Sequence, residues 1–312
     1  MLGGASRALF HALARSKSLK TFASRIGMRP HHAFARRFIA GETMEDAIAA
    51  VRAIEARGFM HTLDHLGESV KSAAEANQGT REYLEIMDAA VAAGIGRNIS
   101  LKLTQLGLDV DRATAVDNLR RVLERGQRGD FFVRIDMENS PYTSVTLDIF
   151  ETLWRLDYRQ FGVVLQAALM RSEADLRRIN ALGARIRLVK GAYDEPKTVA
   201  YQDKADVDAA YARMMKVLLT EGNYPAIATH DPAMIELAKR FAAEHGVRPD
   251  QYEFQLLYGI RRDLQAQLVR DGFRVRIYVP FGREWFPYFM RRLGERPANV
   301  AFVLRSLVRE EG

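Results

Sequence analysis

Two adjacent arginines stand in a strongly aromatic segment near the carboxyl end of the sequence. In YVPFGREWFPYFMRRLGERPAN, residues 278–299, Arg291 and Arg292 follow several Tyr, Phe and Trp side chains. Guanidinium groups bind carboxylates through paired hydrogen bonds, so adjacent cations here suit a carboxylate ligand. The simpler interpretation is an exposed Arg–Glu pair on an outer helix, which contributes less than about 1 kcal/mol. The aromatic surroundings argue against it, because a solvated helix face is polar.

The same segment predicts a turn followed by a helix. We expect a strand to end at Tyr278, the chain to turn at Pro280 and Gly282, and a helix to begin near Glu284 with Pro287 in its first turn. Spacings of three and four residues place a set of side chains on one face of that helix. This face contains Trp285, Tyr288, Arg292 and Glu295 and borders Arg291.

A regular alternation of elements precedes this helix. Eight short runs rich in β-branched and apolar residues begin at Phe59, Asn98, Phe131, Phe161, Arg185, Pro225, Tyr252 and Arg274. Amphipathic stretches separate them, and strand followed by helix eight times over predicts a (βα)8 TIM-type barrel. An open doubly wound sheet is the alternative, weakened because no GxGxxG follows any strand. We expect one structural domain: a helical arm over residues 1–58, with a helix capped by Thr43, and a catalytic barrel over residues 59–312.

Strongly polar residues stand at or near the carboxyl ends of the predicted strands. Barrel strands usually carry apolar side chains, and the active sites of such barrels gather at this face. A single residue of this kind could be hydrogen-bonded inside the barrel and have no catalytic role. The whole set at one face indicates an enzyme. The set comprises Asp64, Lys102, Asp136, Gln166, Lys190, His230 and Tyr278, with Arg187 and Gln255 slightly earlier in their strands.

Composition excludes several classes of protein. The 312 residues are 48% apolar and 27% charged, as in an ordinary globular chain. No apolar run approaches the roughly 20 residues of a membrane span. The absence of cysteine excludes disulfides, thiolate metal sites, cysteine nucleophiles and cysteinyl-flavin links, and we expect no metal.

Positive charge is concentrated at the start of the chain. Residues 1–41 contain eight Lys or Arg and no acid, so they contribute +8 to a formal net charge of +7 and the remainder contributes −1. This distribution argues against nucleic-acid binding, which uses basic residues spread over a face. The basic segment has three interpretations: a helical arm packed on the body, a contact with a membrane surface, or a targeting peptide.

Several motifs together resemble the proline dehydrogenase family in its single-activity bacterial form. They are RLVKGAY followed by EP, ATHD, EFQLLYG and the 278–299 segment, with SLKLTQLG and FFVRIDME in agreement, and they cover roughly residues 59–308. The same motifs are similar to the proline dehydrogenase domain of bifunctional proline utilisation proteins. We expect no aldehyde dehydrogenase domain, since the chain ends at Gly312. Phe281, where relatives often have Tyr, and Asp194, where bifunctional relatives have Trp, depart from the pattern.

The resemblance implies a distorted (βα)8 barrel with its last helix over the mouth and FAD bound noncovalently. It implies oxidation of L-proline to Δ1-pyrroline-5-carboxylate, with hydride transfer from C5 to flavin N5 and electrons passed to a membrane quinone. A separate pyrroline-5-carboxylate dehydrogenase would use the product. The enzyme is expected to be cytoplasmic, with a possible peripheral contact on the inner face of the cytoplasmic membrane.

The resemblance also implies roles for particular residues. Arg291 and Arg292 would bind the proline carboxylate with Lys102 as a third positive charge, and Asp136 would fix Lys102. The ring would be walled by Tyr193, Leu257, Tyr278 and Tyr288, with the residue at the Tyr278 position acting against 4-hydroxyproline. Glu68 would pair with Arg291 as a gate. Arg187 would lie near flavin N5, and the other FAD contacts would be Gln166, Lys190, Gly191, Thr229, His230 and Glu295.

Two rival functions remain at this point. A Schiff-base aldolase could use Lys102 or Lys190 as its nucleophile in an apolar site, although it offers no reason for the arginine pair. A non-enzymatic basic binding protein would use residues 1–41 as its contact surface, but it leaves the polar residues at the strand ends unexplained.

Overall fold

Eight parallel strands close into a barrel in chain order in the computed structural model, which describes residues 35–295. Each strand pairs with its sequence neighbours, and the first pairs with the last, so the barrel prediction is confirmed and the open sheet is wrong. The strands are β1 (Met60–His65), β2 (Asn98–Leu101), β3 (Phe132–Ile135), β4 (Phe161–Gln166), β5 (Arg185–Val189), β6 (Ala226–Ala228), β7 (Glu253–Leu257) and β8 (Val275–Phe281).

Within residues 35–295, a short 3-10 helix (Ala35–Arg37) and one α-helix precede the barrel, and an α-helix follows each strand. The α-helices are α1 (Met44–Glu55), α2 (Ala73–Ala93), α3 (Arg112–Gly129), α4 (Ser140–Arg155), α5 (Ser172–Asn180), α6 (Lys204–Glu221), α7 (Pro232–Glu244), α8 (Arg262–Arg270) and α9 (Trp285–Glu295). The predicted cap of α1 is present, since the Thr43 hydroxyl accepts a hydrogen bond from Asp46 N at 3.2 Å.

The main core lies between the strands and the surrounding helices. Apolar strand residues such as Ile99, Ile135 and Phe161 are fully buried against helix residues such as Leu119 and Phe150. Continuous apolar strands of this kind are expected where a parallel sheet is covered on both faces. The rigid barrel therefore fixes the positions of the residues at its two ends.

A second apolar cluster joins the amino-terminal segment to α9. Phe38 and Ile39 pack with Trp285 and Phe289, and the Trp285 indole N–H donates to Glu42 Oε1 at 2.8 Å. Gly259 allows this segment to approach, because a Cβ there would lie 1.6 Å from the Arg37 carbonyl oxygen. Since Phe286, Phe289 and Met290 are buried as well as Trp285, α9 is enclosed on more than the single face that the spacing predicted.

The eighth strand is longer than predicted. Tyr278 does not end it, because β8 continues to Phe281 and pairs there with His65 of β1. Pro280 has no N–H to donate, but its carbonyl accepts a hydrogen bond from Ala40 N at 2.9 Å. The turn follows at Gly282, whose φ of +118° favours glycine.

Parts of the predicted amino-terminal arm lie outside the described residues. The basic segment 1–41 is described from residue 35 onward only, so its interpretations stay predictions. Within residues 35–295, no helix combines the length and apolar character needed to cross a membrane.

Candidate active site

The polar residues predicted at the strand ends converge on one mouth of the barrel. Asp64 and Gln166 are the last or second-last residues of β1 and β4, while Lys102, Asp136 and Lys190 immediately follow β2, β3 and β5. The carboxyl ends of parallel barrel strands share one face, so residues distant in sequence become neighbours there.

A buried ion pair lies under this mouth. The Lys102 ammonium donates to Asp64 Oδ1 at 3.2 Å, with the side chains 8% and 0% exposed. Burial alone lowers the pKa of Lys102, but the carboxylates of Asp64, Asp136 and Glu68 outweigh it and raise the net pKa above its usual value. Burial raises the pKa of Asp64, although Lys102 acts in the opposite direction. Lys102 is therefore a protonated group that can attract an anion.

This pair adds a partner for Lys102 beside the predicted one. Asp136, which was expected to fix Lys102, acts on it through its charge, and Asp64 makes the hydrogen bond. The register explains the difference, because Asp64 lies opposite Ser100 of β2 and Lys102 comes just two residues later. Asp136 instead accepts bonds from other strands.

Asp136 is the centre of a network that crosses the barrel. Its two carboxylate oxygens accept from Arg187 Nη1 and from the Tyr278 hydroxyl, each at 2.6 Å. Arg187 also donates to Ser100 Oγ at 3.0 Å and lies 5.3 Å from the centre of the Tyr278 ring. Burial, and next the charge of Asp136, raise the pKa of Tyr278. The network therefore holds the Arg187 guanidinium in place and keeps Tyr278 as a neutral donor.

The last helix brings the arginine pair to the mouth. Arg291 Nη1 donates to Glu68 Oε1 at 2.8 Å, so the predicted contact between these residues is present. Arg292 is 9% exposed, and its guanidinium lies 5.1 Å from the centre of the Tyr288 ring. Burial lowers the pKa of Arg291, but the charges of Glu68 and Tyr193 outweigh burial, so its net pKa lies above the usual value. Both arginines occupy largely buried positions at the mouth.

Tyr193 connects the arginine helix with the lysine. Burial raises its pKa to about 12, and the charges of Arg291, Glu138, Glu68 and Lys102 all act on it. On the neighbouring strands, Leu257 lies opposite Tyr278 in the β7–β8 register. The predicted ring-binding residues Tyr193, Leu257 and Tyr278 therefore surround the same mouth as the cations.

The predicted flavin-binding residues lie at the carboxyl ends of β4, β5 and β6, with Glu295 on α9. Gln166 is buried and its side-chain amide donates to the Glu138 carbonyl at 2.9 Å. His230 Nε2 accepts a bond from Leu257 N at 2.9 Å, while the Thr229 hydroxyl accepts from Asp231 N at 3.1 Å. The side chain of Glu295 lies outside the described residues, so that prediction stays a prediction.

Lys190 has two carboxylate partners. Its ammonium donates to Asp231 Oδ2 at 2.6 Å and also to Asp208. These partners bind the Lys190 ammonium from two sides. A Schiff-base nucleophile needs a neutral amine, whereas the raised pKa of Lys102 keeps that residue protonated. The aldolase interpretation therefore loses its chemical basis at Lys102.

Two observations test whether a flavin fits at this mouth. Arg187 Nε is buried and has no hydrogen-bond acceptor among the described residues, so a donor is available inside the site. Gly191 has φ of +118°, and a Cβ there would lie 3.1 Å from Ala168 Cβ, so the backbone after β5 passes close to its neighbours and needs glycine. A buried donor without an acceptor and a glycine backbone beside it suit a large polar cofactor. The residues present therefore fit FAD. No group of three or more His or acidic side chains within residues 35–295 could hold a metal ion.

Three residues with clear roles in the mouth were given none by the sequence analysis. Asp64 holds Lys102, and Ser100 accepts from Arg187. Glu138 is buried and accepts from the Thr104 hydroxyl at 2.7 Å, and burial raises its pKa to about 7. Asp64 could have been found from its place in the polar set, and Glu138 from its spacing of two residues after Asp136. Ser100 carries no such signal, because a small hydroxyl is common inside a strand.

Comparison with known proteins gives consistent matches over the whole barrel. A family model described as Proline dehydrogenase matches residues 47–305. Proline dehydrogenase 1 of Bacillus subtilis (strain 168) is 41% identical over 304 residues, covering 97% of this chain and 99% of that protein. Proline dehydrogenase of Deinococcus radiodurans is 44% identical over 279 residues, covering 88% and 90%. The crystal structure of proline utilization A from Bdellovibrio bacteriovorus inactivated by N-propargylglycine has a TM-score of 0.78 and 29% identity, covering 84% of this chain and 32% of that chain.

Proposed function

Since this chain belongs to the proline dehydrogenase family, we propose that its barrel mouth binds L-proline beside noncovalent FAD and forms Δ1-pyrroline-5-carboxylate. The observation that supports this most is the convergence of Lys102, Arg291 and Arg292, all largely buried, around one mouth. The oxidation removes a hydride from C5 and a proton from nitrogen, and the C=N bond of the product forms.

The three cations would bind the proline carboxylate. Arg291 and Arg292 offer planar forks that match a carboxylate with two hydrogen bonds, whereas Lys102 acts as a point charge. The charges of Lys102 and Arg291 both lower the pKa of Tyr193, so both cations would lie near this ring and near each other. An anion placed there would be stabilised more strongly than in water, since the surroundings have a low effective dielectric constant.

The apolar part of proline would lie against the aromatic walls. Tyr193, Leu257, Tyr278 and Tyr288 offer rings and an aliphatic side chain that suit a pyrrolidine ring. The Tyr278 hydroxyl is already committed to Asp136 at 2.6 Å, which fixes the ring of Tyr278 in place. A rigid ring at this position would act against a hydroxyl on C4 of the substrate.

Bound FAD supplies the redox chemistry by accepting the hydride at N5 and passing electrons to a membrane quinone. Arg187, held between Asp136 and Ser100, would keep a fixed positive charge beside the reaction site. The residues that would hold the cofactor are Gln166, Lys190, Gly191, Thr229, His230 and Glu295. Lys190 would contribute together with its two aspartate partners, so its net effect on a phosphate would be small.

Glu68 and Arg291 would act as a gate. Their contact at 2.8 Å joins residues with side chains 32% and 14% exposed, at the outer edge of the mouth. A proline carboxylate would compete with Glu68 for the same guanidinium, so the pair must open for substrate to reach its final position.

The electron acceptor suggests a further contact. The basic segment 1–41 would bring the enzyme to an anionic membrane surface, where the quinone is dissolved. The product would pass to a separate pyrroline-5-carboxylate dehydrogenase. Co-sedimentation of the full chain and a variant lacking residues 1–34 with anionic vesicles tests the contact. Equal and negligible binding of both proteins would reject it.

An absorption spectrum of the purified protein tests cofactor and substrate together. We expect flavin bands that bleach when L-proline is added without oxygen, and that stay unchanged with L-alanine, which has the carboxylate and amine but no ring. Flavin bands that do not bleach with proline would refute L-proline as the substrate. A colourless protein that does not take up added FAD would refute FAD as the cofactor.

A further inference from the structure

A large cavity lies at the end of the barrel opposite the mouth. It has a volume of about 650 Å³, and its lining includes Met60, Asn98, Phe132 and Arg185, the first residues of β1, β2, β3 and β5. Ligand-binding pockets commonly have volumes of about 300 to 1,000 Å³. The cavity shares no lining residue with the mouth, so nothing in the proposed proline chemistry uses it.

The lining of this cavity contains four arginines and two acids: Arg97, Arg159, Arg185 and Arg276, with Glu55 and Asp130. Arg276 is paired with Glu253 and Arg159 with Asp157, so Arg97 and Arg185 are the arginines of the lining without a carboxylate partner within residues 35–295. Guanidinium groups without a carboxylate partner in a concave site attract anions.

Arg185 is the arginine most available to a ligand. Its guanidinium lies 5.3 Å and 5.0 Å from the centres of the Phe132 and Tyr224 rings. Within residues 35–295 its side chain forms no ion pair and no hydrogen bond, whereas Arg276 is held by both carboxylate oxygens of Glu253 at 2.7 Å and 2.9 Å. Stacking between two rings fixes the position of the Arg185 guanidinium and leaves its N–H groups available for an anion.

The inner wall of the cavity contains a buried imidazole that is incompletely satisfied. His61 is 1% exposed, and Glu55 and the Gly96 backbone lie beside it, but neither of its ring nitrogens has a hydrogen bond of good geometry with a described residue. Its Nδ1 lies 3.2 Å from Glu55 Oε1 but outside hydrogen-bond geometry. An unsatisfied buried group costs about 1 to 3 kcal/mol, and such groups are rare unless a ligand completes them. His61 therefore marks a place where a ligand atom is expected.

We propose that this cavity binds a small anion that carries a phosphate or carboxylate group, with Arg185 and Arg97 as its principal cations and His61 at its inner end. Arg97 suits this role because its guanidinium donates to the Gly129 carbonyl at 2.8 Å and forms no ion pair within residues 35–295. The aromatic residues Phe59, Phe132 and Trp154 give the cavity room for an apolar part of the same ligand.

Calorimetric titration of the FAD-loaded enzyme at low ionic strength tests the proposal, with inorganic phosphate and succinate as separate probes. We expect saturable binding of at least one probe at one site per chain, unaffected by saturating L-proline. The Arg185→Gln variant should bind at least about tenfold more weakly. Arg97→Gln should show the same loss of binding. This second variant provides the test if Arg185→Gln does not fold.

Arg274→Gln is the matched control. Arg274 also lies against the Tyr224 ring, at 5.6 Å, but it does not line the cavity. The control removes the same charge from the same end of the barrel, so binding should stay at the wild-type level. A stronger response to phosphate or to succinate identifies which anion the cavity prefers. No saturable binding of either probe, equal loss in variant and control, or displacement by proline would each overturn the proposal.

Discussion

Replacing Asp64 by Asn removes one charge from the buried pair beneath the mouth. Asp64 is fully buried, and its Oδ1 lies 3.2 Å from the ammonium nitrogen of Lys102, which is 6% exposed. The amide keeps the shape of the side chain and one acceptor oxygen. Lys102 would then retain the charges of Asp136 and Glu68, with which it shares no hydrogen bond within residues 35–295.

The distance and the burial set the size of the effect. At this separation two unit charges attract by about 5 kcal/mol at an effective dielectric constant of about 20. Part of this attraction is offset by the desolvation of Asp64, which raises its pKa. Removing one partner of a buried pair typically costs about 3 to 5 kcal/mol. We expect the lower end because the amide oxygen still accepts, which corresponds to a fall in Tm of roughly 6 °C or more.

Urea titrations give the free energy of unfolding of the Asp64→Asn variant. The Asp88→Asn variant is the control. Asp88 pairs with Arg125 at 2.6 Å but is 67% exposed, so its substitution should cost less than about 1 kcal/mol. Because Asp64 raises the pKa of Lys102, its loss lowers that pKa. The KM for proline should therefore begin to rise at a lower pH in the variant than in the wild type. A loss of stability no larger than the control's, with an unchanged KM profile, would refute the reasoning.

Three further predictions follow from other contacts. Arg292→Lys keeps the charge but loses the planar fork, so the KM for proline should rise about 10- to 100-fold at unchanged FAD content; an unaltered KM in steady-state kinetics contradicts this. Burial raises the pKa of Glu138 from 4.5 to about 7, so the native state holds a proton that the unfolded chain releases, and stability falls as pH rises through this window. Glu138→Gln should therefore gain roughly 3 kcal/mol relative to the wild type between pH 4.5 and 8 in urea titrations, and parallel pH curves would exclude this. Thr43→Ala should lower the unfolding free energy by about 1 kcal/mol and Thr43→Ser should not, because only the hydroxyl caps α1; equal losses would count against the cap.

The order of elements could be predicted because it depends on local pattern. Short apolar runs form buried parallel strands, and amphipathic stretches cover them, wherever they occur in the chain. The cap at Thr43 and the turn at Gly282 are also local, since each depends on a few neighbouring residues. The contact between Glu68 and Arg291 is different: it joins residues far apart in sequence, and only the family resemblance predicted it.

The partners inside the barrel were decided by the tertiary structure. The sequence placed Asp64, Lys102, Asp136 and Arg187 at one face, but it did not show that Lys102 bonds to Asp64 while Arg187 bonds to Asp136. Those choices depend on strand register and on reach across the closed barrel, which all eight strands set together. The cavity at the opposite end has the same origin, because its arginines belong to separate strands and loops. By itself the sequence determined which residues reach each end of the barrel, since side-chain pattern and strand order are local properties. The closed packing alone decided which charges meet, because that outcome depends on the geometry of the whole barrel.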